Sequence, residues 1–561
     1  MTINPALILI LGAIPIPLLR GPFRASYLLI LPLIGLGFAF SLEPGLHWSV
    51  NIMNYDLELL RIDRLSQVFS YIFFFAAFLG NLYTLKDDDP VQQIATQVYA
   101  GSAIGAVYAG DLITLFVFWE LTAVSSVFLI WARRTERSYQ AGMRFLIIQV
   151  GSGVLLLGGL ILLVRDTGSI AFDFLGVTSP GTALIFVAFG IKCAFPLLHN
   201  WLQDAYPEAT VGGTVILSVF TTKLAVYALA RGYAGTEMLI WIGATMTAFP
   251  IFYAVIENDL RRVLSYSLNN QLGFMVVGIG IGTEMSVNGT VAHAFTHILY
   301  KALLFMSMGA VLLRTGTIKG SELGGLYKTM PLTAAFCLVG AASISAFPLF
   351  SGFISKSLIL TAAADEGRWL TWGVLLFASA GVFHHSGIKI PFFAFFAHDS
   401  GRRVKEAPWN MLLAMSIAAT LCVGIGVWPQ PLYNILPFPL DFNPYTTPHV
   451  INQLQLLFFS GLAFTWLMRT GYYPPEMPSV NLDCDVVYRK LLPRLARQFF
   501  AKFEALDQLT RRLALECIQR LITGIFRRTG PQGVLTRTVT VGAMVLWVIV
   551  LLGVYLVLYL I

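Results

Sequence analysis

Apolar stretches of about 20 residues recur along nearly the whole chain between short polar connections, and each is long enough to cross a bilayer as a helix. They fall near residues 5–19, 26–42, 66–85, 94–109, 111–131, 141–164, 183–205, 209–230, 237–257, 263–283, 289–313, 331–363, 369–397, 408–428, 452–469 and 536–560. The pattern predicts an all-α polytopic membrane protein. Two stretches are interrupted, the seventh by Pro196 and the twelfth by Pro348 and Gly352. Such breaks free backbone groups beside a mid-membrane site. They lie five spans apart, which predicts two five-helix repeats, spans 4–8 and 9–13. An odd number of spans per copy makes the second copy inverted.

The division that follows is spans 1–3 in residues 1–92, a first repeat in 93–232 and a second in 233–400. Spans 14 and 15 occupy 401–470, a polar segment 471–535, and a last span 536–561. About fourteen spans form the core, with broken seventh and twelfth helices, and the C-terminal spans are additions to it. In the polar segment, Leu495, Phe499, Phe503, Leu506, Leu513, Ile518, Leu521 and Ile525 recur at helical spacing among ten basic residues of 489–528. That predicts an amphipathic helix on the membrane surface or on a neighbouring protein of the same complex, with a solvated linker as the alternative.

Charge orients the bundle. Connections after odd spans hold fourteen basic residues, among them Arg133, Arg134, Arg137, Arg261, Arg262, Arg402 and Arg403. Connections after even spans hold five: Arg61, Arg64, Arg165, Arg231 and Arg368. The odd connections are therefore expected in the cytoplasm, with the N-terminus external and 471–535 cytoplasmic. No basic residue precedes the first span and no convincing cleavage site follows it, so it is read as retained.

Composition narrows the function classes. Of 561 residues, 57% are hydrophobic and only 12% charged, and Phe alone occurs 42 times. The net charge of +7 resides in connections and one tail, which is no nucleic-acid signature. Five scattered cysteines (193, 337, 422, 484 and 517) have no metal-ligand or disulfide spacing and read as small hydrophobes. No glycine-rich nucleotide pattern, cysteine cluster or quinone site is recognisable, so no cofactor is expected and redox chemistry would belong to partners.

An ionisable side chain at mid-membrane costs about 2.5–3.5 kcal/mol on insertion scales. This chain carries Glu120, Lys192, Lys223, His293, His297, Lys301 and Lys356 inside apolar spans, and His384, His385 and Lys389 in a further one. A single membrane histidine can serve packing, and Lys389 can snorkel to a span end. The concentration of charges argues for a site. His293, His297 and Lys301 stand at i, i+4 and i+8, one file on one helix face. Such a file between two broken-helix lysines has the chemistry of a proton relay. A metal site is the rival, but no carboxylate or cysteine accompanies the histidines in sequence, and no metal is expected.

Four strings, "GIKCAFPLLHNWLQDAYPEAT", "ENDLRRVLSYSLNNQLGFM", "HAFTHILYKALLFMSMG" and "GGLYKTMPLTAAFCLVGAASISAFPLFSGFISKS", carry a family resemblance. Over about 60–430 the chain resembles the proton-conducting antiporter-like subunits shared by respiratory complex I, membrane-bound hydrogenases and Mrp-type sodium/proton antiporters. "TTKLAVYALAR" and the tail "LDCDVVYRK" look most like the D-type component of Mrp antiporters, although Val486 and Val487 stand at usually aromatic positions. The resemblance implies roles by position. Glu120 pairs with Lys192, Lys223 stands in the eighth-span relay, and His293, His297 and Lys301 form the eleventh-span connection. Lys356 is the terminal twelfth-span lysine, with Lys389 a further candidate. Leu217 replaces the histidine of complex I's largest antiporter-like protein, and "PEAT" with Glu208 replaces the usual "PTP".

By this resemblance the chain is a proton, or proton and sodium, translocating subunit of a multisubunit complex in the bacterial inner membrane, with an Mrp-type antiporter first. The alternatives are a pumping subunit of a redox-driven complex, a structural scaffold, or a partner whose proton flow drives solute uptake such as inorganic carbon capture. The implied partners are other membrane subunits, the lipid bilayer and the transported ions. Nothing marks an enzyme active alone.

Overall fold

The structure, a computed structural model, describes residues 3–477, 481–531 and 533–561. Residues 478–480 and 532 of the segment 471–535, and residues 1–2, lie outside the described set. The chain opens with α1 (Ala6–Gly12) and α2 (Gly21–Phe40). A hairpin then follows, β1 (Gly45–Ile52) paired antiparallel with β2 (Tyr55–Ile62). Its register runs from Gly45 opposite Ile62 to Ile52 opposite Tyr55, and the two turn residues, Met53 and Asn54, both have positive φ. That is the turn geometry favoured in two-residue hairpins. The all-α reading passes over this element because strands of eight residues vanish in windows sized for a membrane span.

α3 (Arg64–Tyr83) closes the N-terminal spans, and the first repeat then contains α4 (Pro90–Tyr108), α5 (Leu112–Trp131) and α6 (Glu136–Thr167). The seventh span is α7 (Pro180–Lys192) and α8 (Asn200–Ala205), and the eighth is α9 (Val211–Leu217) and α10 (Thr221–Gly232). The second repeat contains α11 (Met238–Ile256), α12 (Leu260–Ile281) and α13 (Glu284–Thr315). Its broken span is α14 (Pro331–Ile344) with α15 (Ser351–Asp365), and α16 (Trp369–Val382) continues into π-helical turns at Phe383–Lys389 and Phe392–Phe396. After these come α17 (Trp409–Val427), α18 (Gln430–Asn434) and α19 (Thr447–Thr470).

The repeat is visible at the level of single residues, at an interval of 148. α4 and α11 are both 19 residues long, and α6 and α13 both 32. Thr135 and Thr283 cap the latter pair with side-chain hydroxyls that accept from Ser138 and Ser286 N–H groups. Gly168 and Gly316 end them at φ 72° and 75°. Isolated bridges join Asp111 to Ala171 and Asp259 to Lys319, again 148 residues apart. The two breaks share the string Ala-Phe-Pro-Leu, and Ala194, Leu197, Ala346 and Leu349 are all left-handed.

Burial ranks the helices. The most apolar windows of α9–α10 and α13 are 100% and 89% buried, whereas that of α19 is 17% buried. A span buried all round sits at the centre of a bundle. This compact unit ends at Asp483. The second unit, from Cys484, contains a 38-residue helix, α20 (Leu492–Thr529), and an apolar helix, α21 (Val541–Leu560). At 1.5 Å per residue, α20 is about 57 Å long.

Candidate functional site

Lys192 is the last residue of α7, where the chain breaks toward Pro196. Its ammonium donates to the Trp119 carbonyl (2.6 Å) and the Thr122 hydroxyl (2.8 Å), and lies 4.3 Å from the centre of the Trp119 ring. The ring is itself fixed, because Trp119 Nε1 donates to Ser152, which donates to the Ala188 carbonyl. Glu120 makes no ion pair with Lys192 within contact distance among the described residues, and its Oε1 has no hydrogen-bond partner there. The two charges interact through space. The carboxylate rests against Gly153 of α6, where any Cβ would collide with it.

The eighth span also breaks, at 218–220, which its sequence does not announce with Pro or Gly. The Ser218 carbonyl released there accepts a 2.5 Å bond from Lys223, which is wholly buried. Lys223 lies within electrostatic reach of Cys193, beside Lys192, and of His293, His297 and Lys301. It therefore joins the first broken span to the file on α13.

All three members of that file are buried. His293 Nδ1 meets the Ser355 hydroxyl at 3.0 Å, and its Nε2 meets the Tyr300 hydroxyl at 3.4 Å. Tyr300 in turn reaches Gln271 at 3.2 Å. The His293 and His297 rings are 6.1 Å apart. Neither His297 nitrogen, nor the Lys301 ammonium, has a hydrogen-bond partner among the described residues. A buried polar atom left unpaired costs about 1–3 kcal/mol. Lys356, next to Ser355, donates 2.8 Å to the carbonyl of Ile344, the last residue of α14, and faces Phe274. Each broken span thus carries a buried lysine hydrogen-bonded to a main-chain carbonyl.

From Lys356 and Lys301 the electrostatic chain continues to His385 and then to Lys389, both on the π-helical turns. The Lys389 ammonium is 0% exposed and donates to the carbonyls of Ala254, Val255 and Glu257 at the end of α11. It does not snorkel. Its carboxylate partner is Glu476 at 2.9 Å. Burial holds the Glu476 carboxyl above the usual carboxylate range, against the pull of Lys389, and Glu257 adds to the rise. His384 lies aside, stacked on Tyr473. Glu208 pairs with Arg133 and Arg137 instead of joining the line.

The sequence reading missed Trp119, Thr122, Ser355, Tyr300 and Gln271. For four of them the signal was available, since Trp119, Thr122, Ser355 and Tyr300 are polar or amphipathic side chains within a span and one or two residues from an ionisable one, whereas Gln271 has no ionisable neighbour in its own span within a turn. Glu476 carried no such signal, because it lies in an aperiodic stretch.

Residues 109–383 match the family described as NADH:quinone oxidoreductase/Mrp antiporter, transmembrane. Hydrogenase-4 component B of Escherichia coli is 27% identical over 66% of this chain and 63% of its own length. A probable K(+)/H(+) antiporter protein of Rhizobium meliloti, of the A/B type, is 31% identical over 66% of this chain and 40% of its own. The A1 component of a Na(+)/H(+) antiporter of Staphylococcus aureus is 29% identical over 76% and 59%. The chain thus spans between 40% and 63% of the length of these curated relatives. Among solved structures, a chain of the Mrp complex from a Dietzia species superposes with a TM-score of 0.65 at 19% identity, covering 77% of this chain and 91% of that one. A chain of the membrane-bound sulfane sulfur reductase, an archaeal respiratory membrane complex, gives 0.70 at 25%, covering 81% and 99%.

Proposed function

We propose, from the premise that this chain belongs to the NADH:quinone oxidoreductase/Mrp antiporter transmembrane family, that it translocates protons as the antiporter-like subunit of a multisubunit membrane complex. The observation that carries the reading is the line from the half-buried Glu120 through the buried Lys192, Lys223, His297, Lys301, His293 and Lys356 to His385 and Lys389. Glu120 interacts with Lys192, Lys223 with Cys193 beside Lys192 and with the file on α13, and that file with Lys356 and His385, and several of these groups have no polar partner among the described residues.

The mechanism follows from Coulomb's law. Drawing an acid and a lysine from about 4 to about 8 Å apart, at an effective dielectric near 20, weakens their attraction by roughly 2 kcal/mol. Glu120 and Lys192 stand out of contact in the structure, and a charge arriving beside Glu120 from a neighbouring subunit, by closing or widening that gap, would hold or release the Lys192 proton in this way. The released proton then moves toward Lys223 and the histidine file, with Lys356 and Lys389 as the far stations. Residues 93–232 and 233–400 act as two half-channels joined at α13. Mrp-type antiport is the first assignment. A pumping subunit of a redox-driven complex is the second, favoured by the higher superposition on the respiratory complex. The basic connections support an external N-terminus and a cytoplasmic 471–535 in a bacterial plasma membrane.

The deciding experiment is proton flux in vesicles holding the whole native complex, with Lys192→Ala compared at matched expression. Normal flux in that variant would end the relay assignment. Mass spectrometry of the purified complex separates the two assignments, because only a redox-driven assembly brings iron–sulfur or hydrogenase-type subunits.

A further inference from the structure

After α19, the acidic side chains of the described residues 471–477 and 481–483 go inward against the bundle. Tyr473 is 6% exposed and packs on His384, Phe393 and Phe464. Asp483 accepts from the Tyr266 hydroxyl at 2.8 Å, and Asn481 donates to Glu257 at 3.2 Å. Between these anchors Glu476 meets Lys389. Its other oxygen faces Gly320, in the connection after α13. Glu257 approaches Arg262 from the same connection side. The carboxylate therefore stands where the buried line reaches the end of the bundle carrying the α11–α12 and α13–α14 connections.

We propose that Glu476 is a member of the relay, the group through which Lys389 exchanges protons with water at that end of the bundle. This rests on the relay reading above. The ion pair of the structure is the state in which Lys389 already holds a proton received from the His385 side. That proton passes from the ammonium to the Glu476 carboxylate, so that an N–H bond breaks as an O–H bond forms, leaving a neutral amine and a carboxylic acid. The carboxylic acid then gives its proton to water at that end of the bundle, and the next proton to reach Lys389 restores the ion pair. The alternative is that Glu476 only fastens its own stretch of chain to the bundle. A latch would need no titration, and a neutral side chain of equal size and hydrogen-bonding reach would serve it.

The test is proton flux through the whole complex in vesicles. Glu476→Gln keeps the size and the contact with Lys389 but cannot exchange a proton near neutral pH. Its flux is expected to fall about a hundredfold or more, the low end of what a positioned proton-transfer group contributes. Glu476→Asp, still an acid, should run faster than the Gln variant. Glu476→Ala should be slow and should recover when formate is added, whereas Lys192→Ala with formate stays inactive. Wild-type flux in Glu476→Gln beside an inactive Lys192→Ala overturns the inference and leaves the relay standing. Equal rates for the Asp and Gln variants, or no response of Glu476→Ala to formate, also overturn it. Normal flux in both Glu476→Gln and Lys192→Ala would mean that the relay reading itself is wrong.

Discussion

The two repeats share a backbone and differ in where they put charge. On α6, positions 145, 149 and 153 are Phe, Gln and Gly, and 148 residues later α13 has His293, His297 and Lys301. On α5 the acid is Glu120, and its counterpart on α12 is Leu268. Each copy places one ionisable group at the same helix–helix junction. In the first it is an acid from the earlier helix, accommodated by the missing side chain of Gly153. In the second it is a base from the later helix. Duplication therefore supplied the scaffold twice, while the direction a proton would follow lies in side chains that the copies do not share.

The largest effect tests the acidic half. Lys192→Ala or Glu120→Ala should abolish coupled transport, a loss of at least about a hundredfold, while the protein still reaches the membrane. Flux in vesicles and membrane abundance, measured together, check this. Transport retained in either variant would erase the contrast between the copies.

The basic half comes next. Replacing His293 and His297 together with Gln should be nearly as damaging as replacing both with Leu, because Gln hydrogen-bonds but does not titrate near neutral pH. A scaffold role requires the reverse, with Gln preserving function. Decay of an imposed pH gradient distinguishes the two.

A smaller effect isolates the junction. Gly153→Ala should displace the Glu120 carboxylate and slow flux about tenfold, whereas Gly151→Ala, which meets open space, should leave it unchanged. Equal rates would show that the carboxylate needs no room there. The smallest change is Ser355→Ala, which removes the hydroxyl touching both His293 and Thr296 at 3.0 Å. Loss of about 1 kcal/mol of hydrogen bonding should lower flux a few-fold, read in the same assay.

Much of this was legible in the chain before its structure. Hydrophobic windows locate most spans, because a bilayer imposes length and apolarity together. The two broken spans were marked by Pro, and the interval between them gave the repeat. Closer markers were also present: "TERS" at 135 and "TEMS" at 283, each the cap of a 32-residue helix. The ionisable residues stood out because apolar surroundings make them expensive. The hairpin at 45–62 did not, being too short for a window of about 20 residues. The break at 218–220 has no Pro or Gly to announce it. Glu476 belongs to the third kind of silence, since only folding brings a carboxylate 87 positions along the chain to Lys389.

The left-handed residues at the two breaks have a bearing on heat. Ala194, Leu197, Ala346 and Leu349 hold a conformation that disfavours side-chain-bearing residues by roughly 1–2 kcal/mol each. That strain sits mid-span, beside Lys192 and Lys356, and not at the capped helix ends. Warming should therefore slacken the midline first. A heated complex is expected to fall silent as a transporter while its circular dichroism still reports nearly full helix, so inactivation temperature and melting temperature are separate properties of this molecule.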